Sequence, residues 1–184
     1  TSTTAETVTV TAAISGTNVT DTADVTFTAT AATVGNSTLT ASATSVAADG
    51  TASSTMTLQA KDANGNNLST GGLTVTMTES GSATLNTVTD NNNGTYTATI
   101  TSTTAETVTV TAAISGTDVT DTATVTFTAT AATAANSTLT ASPTSVAADG
   151  TSSTMTLQAK DANGNNLSTG GLTVTMTESG SATL

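Results

Sequence analysis

"TYTATITSTTAETVTVTAAI" runs from Thr95 to Ile114 and reads as two half-buried strands in succession. In the first, Tyr96, Ala98 and Ile100 alternate with threonines; in the second, Val108, Val110, Ala112 and Ile114 keep the same step. A period of two sends successive side chains to opposite faces of a pleated strand. Threonine suits the wet face, being β-branched for the strand and hydroxylated for water. One dry and one wet face per strand is the pattern of antiparallel sheets packed face to face, not of a buried parallel sheet.

The same alternation extends outward. It places Met56, Leu58 and Ala60 inward in "STMTLQA", and Leu73, Val75 and Met77 inward in "LTVTMT". A last strand offers Val119, then Ala123, Val125, Phe127 and Ala129. A first strand at Ser37 to Ser42 and a weaker one at Ala83 to Thr89 bring the count to about seven strands in about 100 residues. Between them lie turn signals: "ADG" at Ala48, "DANGNN" at Asp62, "ESGS" at Glu79, "DNNNG" at Asp90 and "ISGTDVTD" at Ile114. The expected core is Met56, Leu58, Val75, Met77, Tyr96, Ile100, Val108, Val110, Val125 and Phe127. No run sustains a 3.6-residue period, so helix is not expected. The fold class is all-β, an immunoglobulin-like antiparallel β-sandwich. Without the Cys pair and buried Trp of antibody domains, that reading rests on strand count and spacing.

The unit is repeated. "TSTTAETVTVTAAISG" at Thr1 returns unchanged at Thr101, and Ser53 to Leu85 equals Ser152 to Leu184. A period of about 100 residues is the size of a sandwich domain and exceeds a solenoid turn of roughly 20 to 50. The small, polar join "TATAATAANSTLTAS" at Thr128 sets the boundaries near Asn36 and Asn136. The expected organisation is therefore 1–36 as the C-terminal part of one repeat, 37–136 as a complete repeat, and 137–184 as the N-terminal part of the next.

Composition limits what such domains can do. Roughly three residues in ten are Thr, aromatic residues make up 2%, and Trp is absent. The cores must be thin, and few rings exist to stack on sugars. Two cations against 13 acidic groups give a net charge of -11, which leaves no basic surface for nucleic acid. No stretch approaches the roughly 20 apolar residues of a membrane span, so no membrane insertion is expected here. No signal peptide is visible; an export signal would lie outside this stretch. With no His and no Cys, histidine triads, thiolate nucleophiles and the usual zinc sites are absent. The acids of one repeat, Asp49, Asp62, Glu79, Asp90, Glu106, Asp118 and Asp121, fall mostly in separate turns, and no enzyme is expected. Gln59 and Lys61 raise an internal cross-link, against the simpler reading that both sit on an exposed strand face.

"DANGNN" poses the one cofactor question. Asp62, Asn64 and Asn66 stand at two-residue steps as in a calcium loop, and they are the weak calcium candidates. A calcium site takes six to eight oxygens, usually with several carboxylates. Here Asp62 is the single carboxylate, and a turn needs only residues that tolerate positive φ and bond nearby amides. The expectation is no cofactor, with a turn favoured over calcium.

As a set, "VAADGTASSTMTLQAKDANGNNLSTGGLTVTMT", "GSATL", "TDNNNGTYTATIT", "AETVTVTAAISG" and "TATVTFTA" resemble the bacterial Ig-like domains of the intimin and invasin family. The match covers about Ser37 to Thr130 and both flanking pieces. The resemblance implies a non-enzymatic structural spacer in the stalk of an extracellular or cell-surface adhesin. Its partners would be neighbouring identical repeats. The alternative is a self-assembling filament, sheath or surface-layer component in which chain-to-chain contacts matter more than reach.

Overall fold

The computed structural model describes residues 1–183. The chain divides into two compact units, one spanning Thr1–Thr128 and the other beginning at Ala129.

The first unit opens with a hairpin of β1 (Glu6–Ile14) and β2 (Thr17–Phe27), paired antiparallel from Glu6↔Phe27 to Ile14↔Thr17. A sandwich follows. Its strands are β3 (Thr38–Ala41), β4 (Ser45–Ala47), β5 (Ser54–Gln59), β6 (Val75–Glu79), β7 (Thr84–Leu85), β8 (Thr89–Asp90), β9 (Thr95–Thr101), β10 (Thr107–Ile114), β11 (Thr117–Asp118) and β12 (Ala123–Thr128). One sheet has the order β3-β5-β9, with β7 and β8 successively on the far edge of β9. The other runs β6-β10-β12-β4, and β11 lies beside the end of β10. No helix occurs among the described residues.

The period-two runs supply the dry layer between these sheets. Met56 and Leu58 of β5, Tyr96, Ala98 and Ile100 of β9, Val108, Val110, Ala112 and Ile114 of β10, and Ala123, Val125 and Phe127 of β12 are all buried. Val75 and Met77 are half-buried and pack against this cluster. Among the described residues their strand has a ladder with β10 alone. Leu73 lies before that strand, where its amide donates to the Tyr96 hydroxyl at 2.9 Å. That bond satisfies the one polar atom of the largest core side chain.

The strand expected at Ser37 to Ser42 is β3, and a short strand not expected, β4, follows it in the other sheet: β3 pairs antiparallel with β5, and β4 pairs parallel with β12. The crossing is fastened by Ser54, whose hydroxyl donates to the Ala43 carbonyl at 2.7 Å and accepts from the Ala43 amide at 3.1 Å. The parallel pair covers an edge of β12 that would otherwise stay open. The last strand is interrupted too. Between β11 and β12 the Asp121 carboxylate accepts from Thr122 N at 3.0 Å and from Leu39 N at 3.0 Å, which takes the backbone out of the ladder.

The second unit contains β13 (Thr138–Ser142) paired antiparallel with β14 (Thr154–Gln158). Leu139 there is 59% exposed, whereas its counterpart Leu39 is 2% exposed. Met155 and Leu157 are likewise uncovered, because no counterpart of β9 or β10 is among the described strands of this unit.

Candidate functional site

The repeated loop after β5 is the most polar buried feature of the fold. Ala60 is buried, Lys61 bridges Asn67, and the Leu68 amide closes the loop on the Ala60 carbonyl at 2.9 Å. Gly65 takes φ 81°, the left-handed turn that glycine admits without a Cβ penalty. Asp62 sits beneath this turn, 1% exposed.

Its carboxylate faces hydrogen-bond donors. Oδ1 accepts from the amides of Asn64 and Asn66, each at 2.9 Å. Oδ2 accepts from Thr30 N at 3.0 Å and from Asn66 Nδ2 at 3.0 Å. The Asn66 side-chain amide, and then the Thr30 amide, hold the Asp62 carboxyl well below the usual carboxylate range, against an upward pull from burial. Asn66 thus turns its nitrogen towards the carboxylate, where a shared cation would call for oxygen. Its Oδ1 accepts from Ala5 N at 2.9 Å, and its Nδ2 also donates to Thr3 O at 2.8 Å. The structure therefore brings Asp62 and Asn66 together as a hydrogen-bonded pair, while Asn64 contributes its backbone N–H and is otherwise exposed. Among the described residues no three acidic, His or Cys side chains gather as a metal cluster.

The loop also grips the segment before β3. Thr33 N donates to Lys61 O at 2.7 Å, Asn36 Nδ2 to Asp62 O at 2.9 Å, and Lys61 N to Ser37 Oγ at 3.0 Å. Residues 30–37 are thereby held along one side of the loop. Gln59, expected on an exposed face, is half-buried; its Nε2 donates to the carbonyls of Ala60, Leu68 and Gly94 at 2.9, 3.3 and 3.2 Å.

The second unit rebuilds the arrangement from the same letters. Asp161 is fully buried and accepts from Thr130 N at 3.0 Å, Asn163 N at 3.0 Å, Asn165 N at 2.9 Å and Asn165 Nδ2 at 3.0 Å. Burial pulls its pKa upward, but the Asn165 and Thr130 donors outweigh it and leave the value lowered to about 2. Thr30, Thr3 and Ala5 carried no local signal of their part in the site. They lie 32 to 63 positions from their partners, and two of the three act through backbone atoms alone.

With this geometry in hand, the likenesses to known proteins are specific. The family model described as invasin, domain 3, matches residues 33–130 and again 133–184. The crystal structure of invasin, a bacterial integrin-binding protein, is 36% identical with TM-score 0.63, over 91% of this chain and 34% of that one. FdeC, an Escherichia coli adhesin, is 30% identical with TM-score 0.57, over 89% of this chain and 53% of that one. The Yersinia pseudotuberculosis adhesin InvE is 27% identical with TM-score 0.52, over 71% of this chain and 36% of that one. No curated protein matches the chain. The chain spans about a third of the invasin chain and about half of FdeC. Two successive matches to one family model, over a sandwich that aligns with bacterial adhesins, establish that this chain belongs to the invasin domain 3 family of bacterial Ig-like domains.

Proposed function

We propose that the chain is a non-enzymatic length of adhesin stalk at the bacterial surface, whose task is reach. The observation that carries this reading is the parallel pairing of β4 with β12. First and last strands that run the same way make the backbone enter the sandwich at one pole and leave at the other. Ser37 lies beside Lys61 at the first pole, and Thr128 lies beside Ala48 at the second. A repeat with that topology extends a chain and does not fold it back. A strand of about ten residues spans roughly 33 Å, so each repeat adds on the order of 35 to 45 Å. The adhesin relatives support the setting.

Proteins carrying increasing numbers of the repeat, viewed by electron microscopy, test the proposal. Thin single strands that lengthen by about one sandwich per repeat are expected. Ordered lateral bundles at constant length would overturn it in favour of the assembly alternative.

A further inference from the structure

We infer that Asn66 is an orientation lock between successive repeats, and that the surface it recognises is the backbone of the preceding repeat's Thr3–Ala5 turn. This inference rests on the stalk reading and adds to it a source of stiffness.

The geometry is two-sided. A primary amide presents one acceptor and one donor edge in a fixed plane, and Asn66 uses both on the same turn: Oδ1 receives Ala5 N at 2.9 Å, and Nδ2 gives to Thr3 O at 2.8 Å. One bond would leave a swivel; two in one plane fix direction. Asn66 is itself held, since its Nδ2 also donates to Asp62 Oδ2 at 3.0 Å and its backbone N to Asp62 Oδ1 at 2.9 Å. The Asp62 carboxylate in turn takes Thr30 N, so the connecting segment and the locking side chain hang on a single anchor. From the opposite loop, Asp121 takes Leu39 N at 3.0 Å. The chain is thus bound where the connector begins, at Thr30, and just past its end, at Leu39 of β3.

The presented turn is braced before it meets Asn66. Thr4 N donates to Ser2 Oγ at 3.0 Å, and Ser2 Oγ donates to Glu6 Oε1 at 2.8 Å. The same brace recurs in the complete repeat, where Thr104 N donates to Ser102 Oγ at 2.9 Å and Ser102 Oγ to Glu106 Oε1 at 3.3 Å. The receiving loop recurs as well, with Asp161 holding Asn165 Nδ2 at 3.0 Å. Both halves of the lock are thus built into the repeating unit, and the atoms recognised are main-chain N–H and C=O. A preceding repeat with altered side chains could still be received, provided its turn keeps this backbone.

The chain has no cysteine, so nitroxide labels at Thr20→Cys in β2 and Thr124→Cys in β12, both exposed positions, report the angle between the hairpin and the sandwich by electron–electron resonance. The unsubstituted loop is expected to give one narrow distance distribution. Asn66→Ala should at least double its width while the emission of Tyr96, the single tyrosine, stays native. Ala5→Pro removes the facing N–H from the other side without touching the sandwich, and should broaden the distribution equally; it decides the matter if Asn66→Ala unfolds. A broad distribution with the lock intact, or widths unchanged in Ala5→Pro, overturns the inference. The length gained per repeat is measured separately, so a stalk that lengthens normally with an unlocked joint refutes the lock alone.

Discussion

Val110 and Val10 occupy the same place in identical eight-residue strings, Thr107–Ile114 and Thr7–Ile14. If intrinsic strand preference held these segments, replacing either valine by alanine would cost the same. The structure says otherwise: Val110 is 0% exposed between β6 and β12, and Val10 is 52% exposed. Removing one buried methylene costs about 0.5–1.5 kcal/mol, and Val→Ala removes two, so Val110→Ala should cost about 2 kcal/mol. For a domain of this size that lowers the melting temperature by about 10 °C. Val10→Ala forfeits at most about half of the ~0.8 kcal/mol per methylene transfer term and opens no cavity, for a total below ~1 kcal/mol. Urea unfolding followed by Tyr96 emission reads the sandwich, because the chain has no Trp and no second Tyr. Val110→Ala is expected to move the midpoint clearly and Val10→Ala hardly at all. Equal shifts would refute the view that burial by the facing sheet, and not strand propensity, sets the stability of β10.

Three further outcomes follow from the loops. Gly94 has φ 82°, and a Cβ there would run into the Leu68 carbonyl; Gly94→Ala should destabilise the sandwich by about 3 kcal/mol, read in the same urea titration. Asp62 and Asp161 have folded pKa values depressed below the ordinary 3.8, so their stabilisation is complete above that pH and drains away as pH falls below it. For Asp161 the window runs from 3.8 to about 2, and a carboxyl carbon titration by NMR should place its midpoint at the lower end. In acid unfolding read by Tyr96, Asp62→Asn should flatten the decline seen in the parent chain; an unchanged decline would count against the stabilising role of the hydrogen-bonded carboxylate. Because amide donors surround the Asp62 oxygens, the melting temperature should be the same in chelator and in millimolar calcium, and a rise with calcium would restore Asp62, Asn64 and Asn66 as ligands.

Most of the sandwich was legible because its long strands advertise a period of two, as in β5, β9 and β10. What escaped were features that depend on a partner. "SVA" at β4 is three residues long, too short to show any period, and its parallel ladder exists only because Phe127 and its neighbours lie alongside. "VTMTE" makes the point most sharply. At Val75–Glu79 it is a strand against β10, and the same five letters at 174–178 form no ladder among the described residues. Strand formation there is decided by a neighbour about 35 positions downstream, as Met77 pairs with Ala112, and not by local preference. The loop at Asp62 was readable as a turn from Gly65 and the flanking asparagines. Its hold on Thr30, Thr3 and Ala5 was not, since a backbone amide leaves no mark in the letters.

The β4–β12 pair has one more consequence, in mechanics. A pull applied where the backbone enters near Ser37 and leaves at Thr128 draws β4 and β12 past each other along their length. Their bonds, with Ala48 N to Thr128 O at 2.8 Å and Thr126 N to Thr44 O at 2.9 Å at the two ends, are then loaded side by side in shear. A hairpin pulled open at its free ends yields one bond at a time; this patch must lose its bonds together. Resistance to tension in the repeat would thus rest on a few backbone bonds at the edge of one sheet, where Val46 and Phe127 of the same pair also tie that edge to the apolar layer.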